Sequence, residues 1–142
     1  MPTRRTYVDS GVLLAAFRGD HEAHAAAMDV LDDPDRDLLV SEFVRLETLP
    51  KPIYENRAEE ADFYRAIFES AAENADWSAE MTDQAMVLAS RYGLSAVDAI
   101  HVSAALLISA DEIVTSEKSS KPFFRVQEIP VVSIRRGADK QT

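Results

Sequence analysis

Two rhythms of apolar residues alternate along this chain. Short runs such as Thr6-Tyr-Val8, Asp37-Leu-Leu-Val40, Asp111-Glu-Ile-Val-Thr-Ser116 and Ile129-Pro-Val-Val-Ser-Ile134 predict strands, with Asn74-Ala-Asp-Trp77 as a shorter candidate. Between them, apolar residues recur at three- and four-residue spacing, the period of a helix with one buried face. Helices are expected over Val12–Phe17, His21–Leu31, Glu42–Leu49, about Ala58 to Glu73, and Met81–Tyr92. In the Glu42–Leu49 helix the expected buried stripe is Phe43, Leu46 and Leu49, and Pro50 and Pro52 end or kink it. In the next helix Ala61, Tyr64, Ile67 or Phe68, and Ala71 turn inward, while Glu59, Glu60 and Asp62 read as a solvated face.

The most apolar helix is Leu94-Ser-Ala-Val-Asp-Ala-Ile-His-Val-Ser-Ala-Ala-Leu-Leu-Ile108. Gly93 stops the preceding helix, Ser95 is a good N-cap, and Asp98 three residues on approaches a capping box. Asp98, His101 and Val102 share a face, so an acid enters the rim of the core. A carboxylate there costs several kcal/mol unless compensated. Either Asp98 only favours the positive end of its own helix, or a metal ion draws several acids together.

Strands alternating with helices predict a mostly parallel central sheet of about five strands with helices on both faces, a three-layer α/β/α sandwich. At 142 residues, one domain over 1–142 suffices, with Arg135 to Thr142 as a polar tail. Cysteine is absent, which excludes a disulfide framework, a thiolate zinc site and a cysteine nucleophile. With no signal-peptide core and no membrane-length apolar run, a cytoplasmic protein is expected, away from the membrane. The formal net charge of −10 argues against broad, non-specific nucleic-acid binding. It leaves room for a nuclease, because a divalent ion can supply positive charge at the reacting phosphate.

Asp9 follows the first strand, Glu117 the fourth, Asp98 opens a helix, and Glu47 borders the apolar side of a helix that follows a strand. The carboxyl edge of a parallel sheet is where open α/β folds place their sites. Asp9, like Asp98, also has a plainer reading, in which it or Ser10 serves only as the helix N-cap; Glu47 has none. If the four converge, their oxygens suit magnesium or manganese better than zinc. His21 and His24 lie three apart but have no third ligand nearby and read as surface histidines. His101 is expected to be buried with a backbone partner. Lys118, Lys121 and Arg125 follow the fourth strand and are candidates for phosphate contacts, whereas Arg4 and Arg5 belong to the opposite edge. A phosphatase with a strand-borne aspartate needs a second acid two residues later, and position 11 is Gly.

Four blocks together, Tyr7-Val-Asp-Ser-Gly-Val-Leu-Leu, Ser41-Glu-Phe-Val-Arg-Leu-Glu, Leu94-Ser-Ala-Val-Asp-Ala-Ile-His-Val-Ser-Ala-Ala and Ile113-Val-Thr-Ser-Glu, carry a family resemblance over almost the whole chain. The chain resembles the PIN domains, and among them the compact toxins of the VapC type. The resemblance implies a metal-dependent endoribonuclease that uses Mg²⁺ or Mn²⁺ to cleave RNA. It also implies a homodimer and a cognate antitoxin whose extended segment covers the acidic site. The family's acids map onto Asp9, Glu47 and Asp98, with Glu117 where the family more often has aspartate; Ser10 and Thr115 match its supporting hydroxyls. The longer Glu117, and the run Lys118-Ser-Ser-Lys-Pro-Phe-Phe124 where the family usually has Asp-Phe, keep open a second reading. In it, a catalytically weakened PIN-like domain binds a protein.

Overall fold

The computed structural model describes residues 3–135. The expected polar tail lies outside the described residues except for Arg135, as does the side chain of His21. Five parallel strands form the sheet: β1 (Arg4–Val8), β2 (Arg36–Ser41), β3 (Glu73–Ala75), β4 (Glu112–Thr115) and β5 (Val131–Ser133). Their order is β3-β2-β1-β4-β5. The two central strands are the most enclosed. Thr6, Tyr7 and Val8 of β1, and all four residues of β4, are buried, as expected where helices cover both faces. The edge strands β3 and β5 are three residues each, short enough to present little open edge.

Among the described residues seven α-helices connect the strands: α1 (Ser10–Arg18), α2 (His21–Leu31), α3 (Glu42–Thr48), α4 (Pro50–Tyr54), α5 (Ala58–Ser70), α6 (Ala79–Tyr92) and α7 (Ala96–Leu107). Right-handed crossovers place them in two layers. The chain steps outward from β1 to β2 to β3, which puts α1 to α5 on one face. It then returns across the sheet from β3 to β4, which puts the α6–α7 hairpin on the other. Gly93 closes α6 in the left-handed region at φ 69°, so the next helix begins three residues later behind Ser95, whose hydroxyl accepts the N–H of Asp98. No helix among the described residues is long and apolar enough to cross a membrane.

Three local expectations are corrected. The proline pair ends α3 as expected, and the chain resumes as α4, but the stripe differs: α3 buries Val44 and Thr48, with Leu49 buried just beyond it as expected, and Leu46 is 66% exposed. Third-strand pairing is made by Glu73–Ala75, so the Ala58 helix ends at Ser70 and Trp77 falls beyond the strand. Glu60 is not solvated. It is 2% exposed and held by Arg18, Arg57 and the Tyr64 hydroxyl, which donates to it at 2.6 Å.

Candidate active site at the carboxyl edge of the sheet

The chain leaves β1 toward β2 on one side and receives β4 on the other, so the crevice between β1 and β4 is the switch point of this sheet. Asp9 stands at its mouth. It caps α1, its Oδ1 accepting the Val12 N–H at 3.3 Å, while Oδ2 accepts the Thr115 hydroxyl at 2.5 Å. Both readings of Asp9 therefore hold at once: a helix cap, and a carboxylate shared with the end of β4. Thr115 Oγ1 in turn accepts the N–H of Glu117 at 3.0 Å, tying the turn after β4 to Asp9. Ser10 opens α1 and makes no side-chain hydrogen bond among the described residues. Gly11 explains how closely α1 meets this turn. A Cβ there would lie 1.9 Å from Ser116 Oγ and 2.9 Å from its Cβ, so any side chain would push the turn that carries Glu117.

Asp98 and Glu47 reach the same mouth from the two helical layers. Asp98 lies in the first turn of α7, half-buried; the cap itself is Ser95. Glu47, near the end of α3, accepts His101 Nε2–H at 2.8 Å. His101 is buried, but its partners are side chains and not the expected backbone group: its Nδ1 lies 2.7 Å from the Tyr7 hydroxyl, which lies 2.8 Å from Ser41 Oγ. The proton order follows from the partners. Nε2 must carry a proton for the carboxylate, so Nδ1 of a neutral imidazole accepts from Tyr7; Tyr7 accepts from Ser41, and Ser41 accepts from the Val44 N–H. Burial, chiefly, pushes the Tyr7 phenol up, so it remains a donor. Phe43 packs over the imidazole at 5.2 Å between ring centres, and the chain fixes where Glu47 points. Sequence reasoning missed this wire because its links come from β1, β2, α3 and α7.

Electrostatic coupling links the acids in pairs: Asp9 feels Glu47, and Asp98 feels Glu117 and Glu47. Burial raises the Asp9 carboxyl above the ordinary carboxylate range; His101, Thr115 and the Val12 N–H oppose the shift, and Glu47 adds to it. Burial also raises Asp98, followed by the charge of Glu117, with Glu47 contributing and His101 opposing. No arginine or lysine is paired with Asp9, Asp98, Glu47 or Glu117 among the described residues. The donor set, carboxylate oxygens with two hydroxyls nearby, has the chemistry of a hard divalent cation site. Its spacing is open: among the described residues no three His, Asp or Glu side chains stand grouped as a ready coordination shell.

Of the phosphate-contact candidates, Lys118 and Lys121 lie beside Glu117, on the wall of one cavity. Arg125 instead donates to the Tyr92 carbonyl at 3.1 Å, at the α6–α7 turn. Arg4 and Arg5 are at the opposite edge, as expected.

The family model of the PIN domain matches residues 6–128. Among solved structures, a toxin-antitoxin complex from Klebsiella pneumoniae is similar with TM-score 0.69 at 19% identity, over 91% of this chain and 97% of the other. VapBC2 from Rickettsia felis, bound to a DNA fragment from its promoter, gives 0.68 at 13%, over 91% and 98%. FitAcB from Neisseria gonorrhoeae gives 0.63 at 18%, over 92% and 99%. At these identities the likeness is one of fold. No curated protein sequence matches.

Proposed function

The chain belongs to the PIN domain family, and from that premise we propose that it is a metal-dependent endoribonuclease, the toxin of a toxin–antitoxin pair. The observation that carries this reading is the group of mutually repelling carboxylates, one of them buried, at the switch point of the sheet. A protein that wanted only stability would have paired them.

Asp9 and Asp98 are the proposed direct ligands of Mg²⁺ or Mn²⁺. Glu117 is the fourth corner, and Thr115 and Ser10 support the shell. A bound ion would bring positive charge to the scissile phosphodiester and make water there more acidic. Glu47, aimed by His101, orients the attacking water. The occurrence of a similar fold in the Klebsiella pneumoniae toxin-antitoxin complex supports an antitoxin partner here, and a cytoplasmic homodimer belongs to the same reading. The second reading, a weakened PIN-like domain that binds a protein, is favoured by the open spacing of the acids.

The test is incubation of the purified protein with a mixed RNA pool in Mn²⁺, Mg²⁺ or EDTA, beside Asp98→Asn. Cleavage should require metal and fall roughly 100-fold or more in the variant. A folded wild-type protein inert with both metals would overturn the nuclease reading in favour of the second.

A further inference from the structure

In a chain of net charge −10, the placement of cations that no carboxylate neutralises carries information. Arg4, Arg5, Arg18, Arg36, Arg45, Arg57, Arg65 and Arg91 are each ion-paired. Among the described residues, the cations without such a pair are Lys51, on the exposed side of α4, and then Lys118, Lys121, Arg125 and Arg135. Three of the last four meet at one place. An open cavity of about 450 Å³ is lined by Ser116, Glu117, Lys118, Ser120, Lys121 and Arg135, so Glu117 joins it to the acidic site.

Local structure holds these cations in position. The Lys121 N–H donates to the Lys118 carbonyl at 3.0 Å, so one tight turn carries both ammonium groups. Arg135 donates through Nε to the Ser116 carbonyl, and its backbone N–H donates to Ser133 Oγ at 2.9 Å. Ser133 Oγ donates to the Glu117 carbonyl at 2.6 Å. The arginine is thus braced against the loop that carries Glu117, which leaves its terminal nitrogens for a ligand. Sequence reading named Lys118 and Lys121, but Arg135 lies two residues beyond β5, and the pairing of β5 with β4 brings it there.

We propose that Lys118, Lys121 and Arg135 form a subsite for the phosphate backbone of single-stranded RNA, holding the strand beside the acidic centre. This rests on the nuclease reading for the identity of the ligand. Negative protein charge repels RNA at long range, so a strand that reaches the acids needs local compensation. Three cations around one small cavity match a single backbone and not the wide face of a duplex.

The test is fluorescence anisotropy of a labelled, mixed-sequence single-stranded RNA in EDTA, over a salt series, with the full chain. The comparison is with the Lys118→Gln/Lys121→Gln/Arg135→Gln variant and a remote Lys51→Gln control. The triple variant should bind roughly tenfold or more weakly at low salt, and its slope of log K against log salt should flatten by about two, at ~0.7 per lost phosphate contact. The control should bind as wild type. If the triple variant fails to fold, Lys121→Gln alone should flatten the slope by about 0.7. Unchanged binding in the variants, an equal loss in the control, or no salt-dependent binding by wild type would overturn the subsite. So would loss of polyglutamate binding with RNA binding intact, which would assign the cavity to an acidic peptide. Cleavage in Mn²⁺ separates the two ideas. A binding defect in a protein that never cleaves refutes the nuclease alone, and wild-type binding in a triple variant that cleaves refutes the subsite alone.

Discussion

Glu112 and Asp9 sit at opposite ends of the two central strands, each 6% exposed, and the fold treats them in opposite ways. Glu112, at the amino edge, accepts the Thr6 hydroxyl at 2.8 Å and faces Arg36 and Arg4, each at 3.5 Å. Around it Asp33 pairs with Arg36, and Asp111 takes the Arg5 N–H. Asp9, at the carboxyl edge, has hydroxyl and amide donors but no guanidinium, and its neighbours are more acids. Burial without a countercharge raises a carboxyl's pKa, and burial with one stabilises the charged form. One edge is built to hold the sheet together. The other leaves its carboxylates without a countercharge from the protein.

The largest effect is expected at the paired edge. Arg36→Met leaves Glu112 buried with only the far more exposed Arg4, and should cost about 3 kcal/mol in denaturant unfolding, the order seen when one partner of a buried pair is removed. A loss within experimental error would dissolve the contrast between the edges.

Next in size is the wire behind Glu47. His101→Ala leaves the Tyr7 hydroxyl and Glu47 without their partner and should cost roughly 1–3 kcal/mol. If His101 is a positioning residue for the nuclease, metal affinity measured by calorimetry should also weaken by roughly 10–100-fold, as for other residues that orient a ligand. Loss of stability with metal affinity intact would make the imidazole purely structural.

The smallest effect sharpens the electrostatic side. Asp9 and Asp98 bind their protons more tightly in the folded protein than in the unfolded chain, so their charge costs stability at neutral pH. That cost fades as pH falls through their raised folded values toward the ordinary carboxylate range. Asp98→Asn should therefore melt slightly higher than wild type at neutral pH, and the gap should close on acidification. Glu42 and Glu128, lowered chiefly by Arg45 and by the Tyr92 hydroxyl respectively, have the reverse sign. Their contribution is present above the ordinary glutamate range and is lost as pH falls through their lowered folded values. A melting difference for Asp98→Asn that widens in acid would reverse the assignment.

Much of this was legible in the chain itself. Alternating strand and helix periods, set by which residues each element must bury, determined the layered parallel fold. The same periods put Asp9 and Glu117 at strand ends and Asp98 at a helix start, because such positions are local. Gly93 and Ser95 announced the α6–α7 boundary through φ preference and capping, again within a few residues. Tertiary structure decided what depends on neighbours far apart in sequence. It buried Glu60 between Arg18 and Arg57, which a helical pattern could only read as a solvated face. It exposed Leu46, because α3 turns Val44 and Thr48 inward and position 46 lies on the opposite side of the helix. It joined Ser41, Tyr7, His101 and Glu47 into one proton-ordered wire, and brought Arg135 to the lysines across β4 and β5. Local chemistry can say that a charge is present. Only the packed structure can say whether a countercharge reaches it.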